Sequence, residues 1–396
     1  MVSVKVLYLS GELYPPKPCS RNHINLKFAE TLVASGHDVT VSAPIEMGYA
    51  ELKRAEAERG LRLRPYSPLP DDAAGFKGAL YRLGYSLLSF WNVMRLVVSE
   101  RYDAVHVADV MLAPAALATK LVRGGFYCLS AHDIVASRLY GMAMMPSLAA
   151  DMAYKLERTI PRFFDLVFAA SNQYRLALIA EGCHPSRIHV TGAGVESGFF
   201  GAADVEDSVV GELKEKYGIE QKLVLCNFPL DPLSEPKLRD IVKKVAARRP
   251  DVTFVVYGEG KVYERLRSQL ESVQARFPGP LRHRDIPANA RAANAGLIIY
   301  ETQPQGDCLP PPMLLEYLSA GLPVVSTDVP CLRDIFGFHD FIKVSNSTPE
   351  LARDVAELVD SGRSEAAAGL VKERFDWLKI TSPMVDEMAR RARKVT

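Results

Sequence analysis

The sequence predicts an α/β protein made of two doubly wound parallel-sheet domains of similar size. Three observations predict this fold: short apolar runs alternate with longer segments of helical period, the alternation occurs in two series, and the polar stretch Gly201–Gln221 separates the series. A chain of 396 residues is long enough for two or three domains. We therefore expect domains at residues 1–200 and 222–378, a linker with a short helix at 201–221, and a closing helix at 379–396 that packs back on the first domain.

The first series alternates short strands with amphipathic or apolar helices. The predicted strands are Lys5–Leu9, Asp38–Ala43, Leu61–Arg64, Ala104–Val107, Phe126–Ser130, Leu166–Ala170 and Arg187–Val190. The predicted helices are Ile24–Ser35, Gly75–Glu100, Ala113–Val122, Leu148–Arg162 and Gln173–Ala180.

The second series repeats this pattern from about Lys222 onward. The predicted strands are Leu223–Asn227, Val252–Tyr257, Leu281–Arg284, Gly296–Tyr300, Pro323–Ser326 and Phe341–Val344. The predicted helices are Pro236–Ala247, Val262–Arg276, Pro311–Ser319, Thr348–Leu358, Glu365–Arg374 and, at the end, Ser382–Val395. Ligands of open parallel sheets bind beyond the carboxyl ends of the strands, so the chemistry is expected in the loops there, at a cleft between the two halves.

Charge and cysteine content exclude several classes of function. With 48 basic and 47 acidic side chains the net charge is +1, so no overall field attracts nucleic acid. The six cysteines form no CxxC pair, which argues against a zinc site and a disulfide framework and favours reduced thiols in the cytoplasm. No uncharged apolar run is long enough to span a bilayer. We expect a cytoplasmic protein and leave association with a membrane surface open.

The segment Pro310–Pro323 is the strongest candidate for a binding site. Prolines suit the first turn of a helix, where N–H groups lack helical partners, and a helix start that faces a cleft attracts phosphate. Glu316 lies about one turn into this otherwise apolar helix, and its carboxylate can accept two hydrogen bonds from a vicinal diol. The alternative is a solvated helix carboxylate. Gly321 is expected to end the helix in the left-handed conformation.

Several motifs carry a resemblance to the retaining, family-four-type glycosyltransferases of the GT-B fold, also called glycosyl transferases group 1. They are Tyr14-Pro-Pro-Lys-Pro, Gly36-His-Asp-Val-Thr-Val, Tyr102-Asp-Ala-Val-His-Val-Ala-Asp, Ala131-His-Asp, Phe164-Asp-Leu-Val-Phe-Ala-Ala-Ser and Leu314-Leu-Glu-Tyr-Leu-Ser-Ala-Gly-Leu-Pro-Val-Val. The resemblance covers nearly the whole chain. It implies an N-terminal Rossmann-like domain for the acceptor, a C-terminal Rossmann-like domain for the nucleotide sugar, and a cleft between them.

The resemblance also implies an activity, namely transfer of a hexosyl group from a nucleotide diphosphate sugar with retention of configuration. It also implies a role in carbohydrate biosynthesis. The implied reaction requires neither a cofactor nor a metal. In such enzymes a glutamate at the position of Glu316 binds the ribose hydroxyls, and a lysine at the position of Lys237 neutralises the diphosphate. The further donor-binding residues implied in this way are Gly258, Arg284, Asp285, Pro312, Leu314 and Leu315. The implied catalytic residues are His132, Asp133 and Asp307.

Three departures from the pattern of these enzymes keep other functions open. The loop 17–23 has no glycine, the segment 227–230 has no arginine, and Cys308 occupies the position of an upstream glutamate, with Asp307 beside it. Arg21 or Arg239 is a candidate for the missing cation. A catalytically impaired binding or assembly subunit therefore remains an alternative, and a sugar-nucleotide epimerase is a third.

The acceptor side is expected in the first domain. Helix Gly75–Glu100 is rich in large apolar residues, and Met142, Met144, Met145 and Met152 lie in a second apolar segment. Ordinary core packing explains such residues in most proteins. The alternative is a groove for a lipid-linked or aromatic acceptor at a membrane surface, with Lys77, Arg82 and Arg95 at its rim.

Overall fold

The computed structural model describes residues 3–10, 23–45, 47–66, 90–108, 110–131, 147–201, 205–300, 311–329, 332, 336 and 339–394. The chain forms two compact units. The first contains residues up to Ala193 together with Leu378 onward, and the second contains Gly194–Trp377. No helix in the described ranges has both the length and the apolar character needed to cross a bilayer.

The first unit is built on a sheet of parallel strands. The strands are β1 Lys5–Leu9, β2 Asp38–Pro44, β3 Arg62–Tyr66, β4 Ala104–Val107, β5 Phe126–Ala131, β6 Leu166–Ala169 and β7 Ile188–Val190. Their order is β3-β2-β1-β4-β5-β6-β7, so the chain reverses its direction of winding between β1 and β4. The buried strands are nearly continuous in apolar residues, as expected for a sheet covered on both faces.

The second unit repeats this architecture. Its strands are β8 Lys222–Cys226, β9 Val252–Tyr257, β10 Ala275–Gly279, β11 Ala295–Ile298, β12 Val324–Ser326 and β13 Ile342–Val344. Their order is β10-β9-β8-β11-β12-β13, with all pairs parallel and the reversal between β8 and β11. The prediction of two doubly wound parallel sheets is therefore confirmed.

Helices connect the strands of both sheets. In the first unit they are His23–Ala34, Tyr49–Arg59, 90–99, Ala113–Arg123, Ser147–Thr159 and Asn172–Ala180. In the second unit they are Ser197–Phe200, Asp207–Tyr217, Ser234–Ala246, Lys261–Leu270, Ile286–Ala292, Pro312–Ser319, Thr348–Leu358 and Glu365–Arg374. The final helix, Trp377–Ala392, begins at the boundary between the units and belongs to the first.

The strand predicted at Leu281–Arg284 is wrong, because β10 lies earlier, at Ala275–Gly279. The helix predicted to reach Arg276 already ends at Leu270. The chain then turns through Gln274, a non-glycine residue at φ +50°. Edge strand β10 contains a proline and a glycine and few apolar residues, so its sequence carries little of the pattern of a strand.

Apart from the single turn Ser197–Phe200, two helices were not predicted, Tyr49–Arg59 and Ile286–Ala292. The first is so charged that Leu52 is its only fully buried side chain. The second has seven residues, of which three are alanine, and Pro287 lies in its first turn. Neither has the apolar stripe by which an amphipathic helix is recognised in a sequence.

Candidate functional site

The carboxyl ends of β8 and β11 mark the reversal point of the second sheet. Helix Ser234–Ala246 follows β8, and helix Pro312–Ser319 follows β11 after a connection whose residues 301–310 lie outside the described part. The phenol oxygen of Tyr317 accepts a hydrogen bond from the backbone N–H of Asn227 at 2.9 Å. This contact joins the second helix to the loop after β8 and places both at the edge where parallel sheets bind ligands.

Helix Pro312–Ser319 is held in place by close packing. Tyr317 is fully buried, and its ring lies so close to Gly296 in β11 that a Cβ atom there would be 2.4 Å from the ring. Gly321 ends the helix at φ +70°, as expected. The N–H groups of Leu322 and Gly321 donate to the carbonyls of Tyr317 and Leu318, both at 2.9 Å, which is a Schellman motif.

Arg363 fixes the C-terminal end of the same helix. Its guanidinium donates to the carbonyl of Ala320 at 2.6 Å and to the carbonyls of Ala290 and Arg291 at 2.7 and 2.6 Å. One cation thus binds the carbonyl ends of two helices, where the helix dipole favours positive charge. Burial lowers the pKa of Arg363 to about 10, so the side chain stays charged at neutral pH.

Glu316 is the most unusual side chain in this helix. It is only 7% exposed, and it has no hydrogen bond and no ion pair among the described residues. Burial raises its pKa from 4.5 to about 7. A buried carboxyl group without a partner is costly to a folded protein, and a carboxyl pKa that burial raises this far is a signal of a functional site.

The first turn of the helix contains Pro312, Leu314 and Leu315. Pro312 is half-buried, and the side chains of both leucines are completely buried in the core. Any contact of the leucines with a ligand must therefore come from the backbone. The N–H of Leu314 already donates to the carbonyl of Pro311 at 2.9 Å.

Lys237 lies in the first turn of helix Ser234–Ala246 and is half-buried. The carboxylate of Asp231 fixes the start of this helix by accepting from the N–H groups of Leu233 and Ser234 at 2.8 and 2.7 Å. Arg239, the candidate for the missing cation, pairs with its neighbour Asp240 at 3.1 Å. The positive end of the helix dipole and the charge of Lys237 therefore lie at the same helix N-terminus.

The remaining described candidates follow β9 and β10 at the same edge. Gly258, at φ +155°, comes directly after β9, and a Cβ atom there would lie 2.9 Å from Leu230. Arg284 and Asp285 lie in a 3₁₀ turn, His283–Asp285, rather than directly after a strand as expected. The backbone carbonyl of Asp285 accepts from Asn289 at 2.8 Å, and Asn289 also accepts from the hydroxyl of Tyr257 at the end of β9.

The predicted catalytic residues His132, Asp133 and Asp307 lie outside the described residues, as does Arg21. The supporting roles of Tyr317, Gly296 and Arg363 were not predicted. The tyrosine beside Glu316 offered a signal in the sequence, but Arg363 is distant from the motif and offered none. Within the described ranges, no three or more His, Cys, Asp or Glu side chains are grouped so that they could hold a metal ion.

Comparisons with known proteins agree with this architecture. Residues 24–194 match the family described as glycosyl transferase 4-like domain, and residues 237–361 match the family described as glycosyl transferases group 1. A search of curated protein sequences finds no significant match.

Solved structures with the same fold are similar over the full chain. HepE of Anabaena, crystallised with UDP and glucose, has a TM-score of 0.69 at 16% identity, over 98% of this chain and 100% of that one. Sucrose-phosphate synthase of Thermosynechococcus elongatus has a TM-score of 0.71 at 14% identity, over 99% of both chains. A glycosyltransferase of Rickettsia africae has a TM-score of 0.70 at 13% identity, over 100% of both. The chain therefore belongs to the GT-B-fold glycosyltransferases, with a glycosyl transferase 4-like domain followed by a glycosyl transferases group 1 domain.

Proposed function

We propose that this protein transfers a hexosyl group from a nucleoside diphosphate sugar to an acceptor hydroxyl, with retention of configuration. The observation that carries the proposal is the buried carboxyl group of Glu316, which has no partner in the described structure. It lies one turn into a helix that starts at the reversal point of the second sheet. Two vicinal ribose hydroxyls would satisfy it, and HepE, with the same fold, was crystallised with UDP.

The other groups of the second unit suit a diphosphate. In the reaction, the bond between the sugar C1 and the diphosphate oxygen breaks, and a bond from C1 to the acceptor oxygen forms. The acceptor proton passes to a base or to the departing phosphate. Negative charge therefore grows on the diphosphate, and the ammonium group of Lys237 at a helix N-terminus would stabilise it.

The acceptor is proposed to be lipid-linked or aromatic. The support is the composition of the segment Gly75–Glu100, together with Trp91, which remains exposed in its described part, 90–99. The core packing that would explain the other apolar residues does not extend to this indole ring.

Titration calorimetry with UDP, GDP, ADP and UDP-glucose tests the donor site. We expect one nucleotide to bind tightly, and we expect Glu316→Gln to weaken it about 10- to 100-fold because charge-assisted hydrogen bonds are lost. Glu357→Gln, at an exposed position of the same unit, is the matched control. The anomeric configuration of the product, read by NMR, tests retention.

A binding or assembly subunit without transfer activity is the second candidate. The loop Asn227–Leu230 favours it, because it contains no basic residue that would contact a diphosphate beside Lys237. Absence of binding to every nucleotide would support this alternative. Tight nucleotide binding with measurable release of the nucleoside diphosphate from a donor sugar would exclude it.

A further inference from the structure

Apolar side chains are exposed to solvent at the amino-terminal edge of the first sheet. Val98 ends helix 90–99 before β4, Leu121 and Val122 end helix Ala113–Arg123 before β5, and Phe163 lies before β6. Because β4, β5 and β6 are parallel neighbours, these residues reach the same edge. Leu121 is 90% exposed, Val122 65% and Phe163 51%. Exposed apolar residues that cluster in this way mark interaction surfaces.

Hydrogen bonds and a contact between a cation and a ring show that these segments adjoin. The guanidinium of Arg123 donates to the carbonyl of Val98, which joins the ends of the first two helices. The ammonium group of Lys120 donates to the carbonyl of Phe163 at 3.2 Å, which joins the second helix to the turn before β6. The guanidinium of Arg162 lies 4.8 Å from the centre of the Phe163 ring.

Cations surround the apolar residues. Arg101, Arg123 and Arg162 are exposed, and in the described ranges none of the three forms an ion pair. Three neighbouring carboxylates are already engaged. Asp165 pairs with Lys120 at 2.8 Å, Glu100 pairs with Lys5 at 3.1 Å, and Asp103 accepts from the backbone N–H of Lys5 at 2.7 Å. We call Val98, Leu121, Val122, Phe163 and these three arginines the amino-edge patch. It is positive on a chain whose net charge is only +1.

We propose that the amino-edge patch docks the protein on an anionic lipid bilayer. The apolar tips come from three separate segments and protrude between arginines, which suits insertion at the boundary of headgroups and acyl chains. Arginines at the same level bind lipid phosphates while their stems stay in the apolar layer. A symmetric contact with a second copy would bring like charges together and is therefore disfavoured.

The patch lies at the edge opposite the carboxyl ends of the strands. Docking there would hold the protein on the surface without covering the loops at the opposite edge of the first sheet, where the fold binds ligands. The proposal does not depend on the identity of the donor or on transfer activity.

Sedimentation with vesicles of phosphatidylcholine, with and without phosphatidylglycerol, tests the proposal. We expect the wild type to bind the anionic vesicles at least about tenfold better, and added salt to weaken this binding. Leu121→Gln/Val122→Gln and Arg101→Gln/Arg123→Gln should each lower the bound fraction several-fold. The urea midpoint followed by circular dichroism should be unchanged in both variants, which would show that the fold is intact.

Matched controls carry the same kinds of substitution at exposed positions outside the amino-edge patch. Leu176→Gln replaces another exposed leucine of the first unit, and Arg54→Gln/Arg248→Gln removes two exposed arginines outside the patch. The proposal is wrong if the wild type stays in the supernatant with anionic vesicles, or if the control variants lose as much binding as the patch variants. A dimer that Leu121→Gln/Val122→Gln dissociates, without any vesicle binding, would assign the patch to a second copy of the chain.

Discussion

Replacement of Glu316 by glutamine should stabilise the protein at alkaline pH while it weakens nucleotide binding. Burial raises the pKa of the carboxyl group from 4.5 to about 7 when the chain folds. Below pH 4.5 the group is protonated in both the folded and the unfolded chain, so it carries no penalty. Between pH 4.5 and 7 the unfolded chain releases the proton that the folded chain retains, and stability falls as pH rises.

The size of the effect follows from the two pKa values. The rise from 4.5 to about 7 corresponds to about 3 kcal/mol at pH 8, most of which develops above pH 5. Glutamine cannot ionise, so Glu316→Gln removes this loss. The difference in unfolding free energy between variant and wild type should therefore grow by about 2–3 kcal/mol from pH 5 to pH 8.

Urea unfolding followed by circular dichroism at both pH values measures this change. The comparison across pH cancels the cost of burying the glutamine amide itself. Glu235→Gln is the control. Its hydrogen bond to Arg265 lowers the pKa of Glu235 from 4.5, so the stability that this carboxylate contributes is lost only at more acidic pH, and the variant should show almost no change between pH 5 and pH 8. If Glu316→Gln leaves the pH dependence of stability unchanged, the carboxyl group is not desolvated and Glu316 does not mark a ligand site.

Three further substitutions test how helix Pro312–Ser319 is held. Gly296→Ala should destabilise the second unit by about 1–3 kcal/mol and weaken nucleotide binding, because the new methyl group displaces the Tyr317 ring. Gly211→Ala, where the added methyl group points into open space on a helix, should stabilise the protein slightly. Urea midpoints measure both changes. Arg363→Met should cost about 2–4 kcal/mol, because the carbonyl ends of two helices lose their donor. Arg353→Met, on the surface, should leave the urea midpoint nearly unchanged, and equal midpoints for the two variants would contradict this role of Arg363. Tyr317→Phe should cost about 1–3 kcal/mol, since the backbone N–H of Asn227 loses its acceptor; hydrogen exchange at this amide should accelerate by the corresponding factor.

The sequence predicted the strands where burial is continuous and failed where the chain is polar or short. β1, β4 and β9 have the expected bounds, since each is an apolar run between turn residues. β10 lacks this pattern, because it is an edge strand that needs little apolar surface. The charged helix Tyr49–Arg59 was missed for the same reason.

In the candidate site, too, the sequence predicted some features and not others. The position of Glu316 followed from its local motif, and the prediction that the helix ends at Gly321 is confirmed. The contact between Arg363 and Ala320 spans 43 residues of sequence and depends on how two helices pack, so no local sequence pattern predicts it. The proposed roles of Lys237, Gly258, Arg284 and Asp285 remain predictions that ligand binding can test.

The position of the final helix has a consequence for biosynthesis. The hydroxyls of Thr31 and Thr381 are 2.7 Å apart, and Arg391 donates to the carbonyl of Ser186 at 2.6 Å. The segment from Leu378 onward is therefore synthesised after the second unit and completes the unit that precedes it, whereas the second unit is one uninterrupted stretch. We expect the second unit to mature before the first, and a stop codon introduced at Leu378 to destabilise the unit that contains residues up to Ala193.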